Sequence, residues 1–89
     1  VIGDETSIDA LCQVNHNCIL GKKNTLVSGT YLYGSVETGD NVYIASSVIM
    51  NQIKLGDNVT VGMNSVVMSD VDTGLTVFGT PAKAHQKSK

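Results

Sequence analysis

Two histidines occur in the chain, and only His16 lies inside regularly patterned sequence, in Gln13-Val14-Asn15-His16-Asn17-Cys18-Ile19-Leu20-Gly21. A neutral imidazole, with an ordinary pKa of about 6.5, accepts a proton from an amine or hydroxyl near neutral pH without a large environmental shift. His16 is therefore the candidate general base. Gly34, eighteen residues later, has a backbone N–H that no side chain of its own shields. Such a donor can bond a carbonyl oxygen as it gains charge. The competing reading makes Gly34 a corner glycine that supplies a positive φ. Asn17 could orient the imidazole, as could Asp9 from an earlier turn, or both could be polar turn residues. His85 stands in a polar tail, 84–89, and reads as solvated.

A scaffold that holds these residues is written in a period of six, since aliphatic residues recur at Ile2, Ile8, Val14, Leu20, Leu26, Leu32, Ile44, Met50, Leu55, Val61 and Val67. Thr38 alone breaks that column. A second column of small or β-branched residues follows at Thr6, Cys12, Cys18, Thr30, Val36, Val42, Val48, Val59, Ser65 and Val71, with Asn24 as its polar exception. A helix would repeat near 3.6 and an ordinary strand at 2, so the pattern is that of a solenoid of short strands and tight corners. Three hexads make a coil, and the third coil is a residue short, a deletion assigned to Met50-Asn51-Gln52-Ile53-Lys54. On this count His16, Gly34 and Gln52 form one vertical column, stepped at the strand spacing of about 4.8 Å. The repeat is expected to span 1–72, with 73–89 leaving the prism.

Composition bounds the remaining possibilities. Eighty-nine residues with 42% hydrophobic content and no tryptophan specify one small domain with an aliphatic core. At that size oligomerisation is a natural supplement to stability. The net charge of −2, without a dense basic run, argues against a nucleic-acid partner. No segment approaches the roughly 20 apolar residues of a membrane span, and no signal-peptide pattern is present. Cys12 and Cys18 fall in the inward column and read as reduced core fillers, which suits a cytoplasmic protein. One scaffold histidine cannot supply the three-histidine zinc site of a γ-type carbonic anhydrase, so no metal is expected. A non-catalytic, trimerising β-helix stands as the rival to an enzyme.

The hexads, with Val14-Asn15-His16-Asn17-Cys18, Leu32-Tyr33-Gly34-Ser35-Val36, Val61-Gly62-Met63-Asn64-Ser65 and the closing Gly79-Thr80-Pro81-Ala82-Lys83, resemble the hexapeptide-repeat acyltransferases. They look like the C-terminal domain of the sialic-acid O-acetyltransferase and bacillosamine N-acetyltransferase group. That resemblance implies an all-β, left-handed parallel β-helix of about four coils, assembled as a homotrimer with its active site between subunits. It implies acetyl transfer from acetyl-CoA to an amine or hydroxyl of a sugar or nucleotide sugar, with His16 as base and the Gly34 N–H on the thioester carbonyl. Asn17 takes the place of the acidic or amide residue that commonly follows the histidine. In that group pantetheine and nucleotide lie along the later coils between subunits, so the resemblance implicates Ala45, Ser46, Gly62, Gly79 and Lys83 in binding the cofactor. A second relative in resemblance is the UDP-3-O-acylglucosamine N-acyltransferase of lipid A synthesis, whose donor is an acyl carrier protein. The first group carries an N-terminal nucleotide-sugar-binding domain, so this chain is expected to be a fragment or a bare catalytic prism.

Overall fold

The computed structural model describes residues 1–85, and every regular element in them is a β-strand. The strands are β1 (Ser7–Ile8), β2 (Gln13–Val14), β3 (Thr25–Leu26), β4 (Tyr31–Leu32), β5 (Glu37–Thr38), β6 (Tyr43–Ile44), β7 (Val48–Ile49), β8 (Lys54–Leu55), β9 (Thr60–Val61), β10 (Val66–Val67), β11 (Thr76–Phe78) and β12 (Lys83–His85). They stack as three faces. One runs β1-β3-β6-β9-β11 in parallel with β12 antiparallel at its end; a second is β2-β4-β7-β10; the third is β5-β8, extended by bridges at Ile2–Leu20, Ile19–Glu37 and Leu55–Val71. The result is a three-sided parallel β-solenoid of about four coils.

Strands are short because the chain turns after each one. Within a strand the first side chain faces out and the second in, as in exposed Tyr31 and buried Leu32, the period of two that extended chain imposes. Most corners carry one residue with positive φ, and Asn17, Ser35, Asn41, Gln52, Asn58 and Asn64 are among those that supply it, at 58–64°. Asparagine tolerates that region better than most residues, which accounts for its recurrence there.

Inside the prism Leu26, Leu32, Ile44, Ile49, Val59 and Val61 are fully buried. Each such side chain contributes about 1.5–3 kcal/mol from burial. The two polar exceptions of the columns satisfy each other: Asn24 Nδ2 donates to Thr38 Oγ1 at 2.6 Å, and the Val42 N–H donates to Asn24 Oδ1 at 2.8 Å. Both thiols are free, and Cys12 and Cys18 each lie 3.2 Å from a backbone carbonyl, of Val27 and Tyr33 respectively.

The ladder moves the short hexad. Tyr31 pairs with Val48 and Leu32 with Ile49, so the missing residue falls at the corner Ala45-Ser46-Ser47 and not at 50–54. Ile49 fills the column position expected of Met50, and buried Ser47 replaces Val48. Hydropathy could not separate the frames because Ile49 and Met50 are both apolar; corner geometry decides, with Ser46 taking the positive φ at 44°. Val71 likewise pairs with Leu55 instead of joining the second column. Beyond Asp72 the parallel ladder continues, Thr76 and Val77 pairing with Thr60 and Val61, before β12 folds back on β11. The segment expected to leave the prism thus stays on it as far as His85. The rest of the polar tail, 86–89, lies outside the described residues.

Candidate active site

His16 and Gly34 sit at the tips of successive turns, just past the C-terminal ends of β2 and β4, on one edge of the four-stranded face. The main chain locks the turns together: the Ser35 N–H donates to His16 O and the Gln52 N–H to Gly34 O, each at 3.0 Å. His16 is exposed, and its ring lies across the glycine, since a Cβ built on Gly34 would be 3.3 Å from both Cε1 and Nε2. Among the described residues neither ring nitrogen has a hydrogen-bond partner, and the Gly34 N–H donates to no group of the chain.

The corner's positive φ belongs to Ser35, at 61°, and not to Gly34. The corner-glycine reading therefore does not describe this position. What the missing side chain provides is room for the imidazole and a bare N–H beside it.

The corrected register changes the column above the histidine. Counting on from the Tyr31–Val48 pair, Asn51 stands over Gly34, and Gln52 instead occupies the positive-φ position, at 64°, in line with Ser35 and Asn17. The sequence alone puts Gln52 in this column, because Ile49 and Met50 satisfy the hydropathy pattern in either frame. Asn17 has φ 61°, so the backbone alone accounts for an asparagine there, and no hydrogen bond joins it to the imidazole. Asp9 lies on a different edge and has no bond to His16.

The residues expected to bind the cofactor gather on that different edge, at the N-terminal side of the four-stranded face. Ser46 Oγ donates to Ser28 O at 2.6 Å, and the Ala45 N–H to Val61 O at 3.1 Å. A Cβ on Gly62 would meet Phe78 Cβ at 2.8 Å; the Gly79 N–H donates to Ser65 Oγ at 3.1 Å; exposed Lys83 pairs with Phe78 across β11 and β12. Within one chain, the width of a face separates these residues from His16 and Gly34. Above its first coil, where Gln13 and Asn15 bond each other, that face is apolar outside: the Tyr31 and Tyr33 rings meet at a 57° tilt with centroids 4.8 Å apart, and Val48, Met50, Val66 and Met68 follow them up the prism.

Among the described residues no three His, Cys, Asp or Glu side chains are grouped to hold a metal, and no helix is long and apolar enough to cross a membrane. A hollow of about 130 Å³ opens at the far end of the prism, between Val67, Asp70, Leu75, Val77 and Ala82. It contains none of the candidate residues.

No protein-family model matches the chain. It is 34% identical over 84 residues to the UDP-3-O-acylglucosamine N-acyltransferase of Methylorubrum extorquens, covering 93% of this chain and 24% of that protein. It is 32% identical over 85 residues to the acyl-[acyl-carrier-protein]–UDP-N-acetylglucosamine O-acyltransferase of Pseudomonas putida, covering 94% and 33%. The perosamine N-acetyltransferase of Caulobacter crescentus, solved with CoA and GDP-perosamine, superposes with a TM-score of 0.94 at 26% identity, over 97% of this chain and 41% of that one. The chain belongs to the hexapeptide-repeat acyltransferase superfamily. It spans about a quarter to a third of the length of these curated relatives. By their names, these three relatives carry out N-acyl, O-acyl and N-acetyl transfer, so likeness to them does not by itself select an acceptor.

Proposed function

We propose that the prism is the catalytic core of an acyltransferase that moves an acetyl group from acetyl-CoA to an amine or hydroxyl of a nucleotide sugar, as the bacillosamine-type resemblance implies. One observation carries the reading: an exposed imidazole with both nitrogens unengaged lies across a glycine whose N–H is bare. In this scheme His16 takes the proton from the acceptor amine or hydroxyl as that atom attacks the thioester carbonyl carbon. The Gly34 N–H bonds the oxygen that becomes negative. The tetrahedral intermediate collapses, the C–S bond breaks, and the imidazolium returns the proton to the departing thiolate. The acetylated acceptor and the free thiol leave, and the scheme draws on no metal.

His16 and Gly34 occupy one edge of the four-stranded face and the Ser46, Gly62, Gly79 and Lys83 set the other, which supports a site completed by a second copy of the chain. The apolar outer surface between the edges supports a homotrimer that buries it. A second reading is favoured by the 34% identity to a UDP-3-O-acylglucosamine N-acyltransferase, whose resemblance implies an acyl carrier protein as donor.

Thiol release from acetyl-CoA and from an acyl carrier protein thioester, with a panel of amino and hydroxy nucleotide sugars, tests both readings. Acceptor-dependent release from acetyl-CoA is expected; release from the carrier protein alone selects the second reading. A protein that releases thiol from neither donor and binds no CoA overturns both.

A further inference from the structure

One coil above Gly34, on the same edge, stands Asn51, exposed and with a carboxamide that bonds nothing among the described residues. The equivalent position on the edge where Gly21, Gly39 and Gly56 lie is used differently. There Asp40 accepts the Lys22 N–H from the coil below, and Asp57 accepts the Asp40 N–H, both at 2.8 Å. Asn51 has a side chain of the same length on the same kind of turn, yet it leaves the N–H of Gly34 open.

We infer that Asn51 holds the first amide of the donor's pantetheine arm, its side-chain oxygen accepting that amide's N–H, an inference that rests on the acyltransferase reading above. The argument is one of direction and reach. A thioester whose carbonyl oxygen sits at the Gly34 N–H cannot send its thiol arm downward, because the His16 ring occupies that side, 3.3 Å from where a Cβ on Gly34 would stand. It runs upward. In a phosphopantetheine thioester the first amide follows the carbonyl carbon after a sulfur and two methylenes, about 5 Å in extended form. Coils stack about 4.8 Å apart, so that amide arrives level with Asn51. CoA and acyl carrier protein share this arm, so Asn51 serves either donor. An amide also suits the position where a carboxylate does not: aspartate here would turn down and cap the Gly34 N–H, as Asp57 caps Asp40.

The test compares the protein with Asn51→Ala and Asn51→Asp on four donors. Acetyl-CoA, an acetylated acyl carrier protein and the acetyl thioester of N-acetylcysteamine carry the amide; the acetyl thioester of ethanethiol lacks it. Asn51→Ala is expected to lower kcat/KM by roughly 3- to 10-fold with whichever amide-bearing donors the wild type uses, and to leave the ethanethiol thioester unaffected. Asn51→Asp is expected to fall by roughly 10²–10³ with every donor, the scale of a lost oxyanion donor. Asn51→Ala is expected to melt with the wild type, and Asn51→Asp, which gains the cap, at or slightly above it. Equal losses of Asn51→Ala on thioesters with and without the amide, or no loss at all, overturn the inference and leave the acyltransferase reading standing. A wild type that turns over no thioester and binds no CoA overturns that reading and this inference together.

Discussion

Two edges of the same prism show how one backbone turn serves opposite ends. On the edge of Gly3-Asp4, Gly21-Lys22, Gly39-Asp40 and Gly56-Asp57, the tip N–H of each of the three later turns is capped from the coil above, by Asp40, Asp57 and Thr73 Oγ1 in turn. Its glycines are obligatory because backbone lies where their Cβ would be: Gly21 O at 2.5 Å from Gly3, and Thr73 N at 2.6 Å from Gly56. On the His16 edge the main-chain bonds between turns are the same, but the tips are His16, Gly34 and Asn51, and among the described residues nothing caps their N–H groups. The glycine there faces a movable ring instead of backbone. The first edge commits its polar groups to itself. The second leaves an imidazole and an N–H donor uncommitted, which costs little in solvent and is what the proposed transfer needs.

The comparison breaks first at the histidine. His16→Ala is expected to lower acetyl transfer by roughly 10²–10⁴, the range for a lost general base, and to leave the melting temperature unchanged because the ring is exposed and unbonded. Turnover equal to wild type on a working acceptor would show that the open edge is decoration. The opposite pattern is expected at Gly39→Ala, whose Cβ would collide with Asp57 Oδ1 and stand 2.9 Å from Asp57 N and 3.0 Å from Gly56 C. Forcing the coils apart should cost about 1–3 kcal/mol. Thermal melting would register it as a fall of about 4–8 °C per kcal/mol. Activity per folded molecule should not change.

How much of this was legible in the sequence follows from what each feature depends on. The hexad is a burial pattern, and burial is written in residue type, so the solenoid and the inward path of Leu20, Leu26, Leu32 and Ile44 could be read directly. His16 and Gly34 could be paired because no deletion lies between them. Asn51 could not be placed. Finding it required knowing that Ala45-Ser46-Ser47 is the short corner, and Ile49 next to Met50 satisfies the pattern in either frame. The polar exceptions Asn24 and Thr38 looked like two defects, since the column pattern carries no information about which side chains meet across the core. Their 2.6 Å bond makes them one feature. The conformation of Gly34 was illegible for a similar reason: the corner needs positive φ at one residue, and composition points to glycine when Ser35 in fact supplies it.

A smaller effect is expected from Asp57→Ala, which uncaps the Asp40 N–H. The bond is exposed and water can replace it, so denaturant unfolding should show a loss of about 1 kcal/mol. Combined with Gly39→Ala, the loss should be less than the sum, because the carboxylate oxygen is the nearest atom the new methyl meets. Strict additivity would mean that the glycine edge is held by backbone contact alone.

Gly34→Ala is expected to be the mildest change and the one that separates the edges most sharply. No positive φ opposes a side chain at Gly34, and the atoms nearest the new Cβ are Cε1 and Nε2 of His16, at 3.3 Å. A ring on an exposed side chain can yield by a few tenths of an ångström where a stacked backbone cannot. Removing glycine also lowers the entropy of the unfolded chain, a gain of about 0.4–1 kcal/mol where the conformation is unstrained. Melting should therefore be unchanged or slightly raised, in contrast to Gly39→Ala. The displaced imidazole no longer lies across the bare N–H, so transfer should fall by about 3- to 10-fold, on the order of 1 kcal/mol of lost alignment. Parallel melting and turnover measurements on the two alanine variants decide the matter. If Gly34→Ala melts low and retains activity per folded molecule, its glycine belongs to the scaffold like the others. If it melts normally and transfers slowly, the missing side chain at Gly34 serves the imidazole and not the turn.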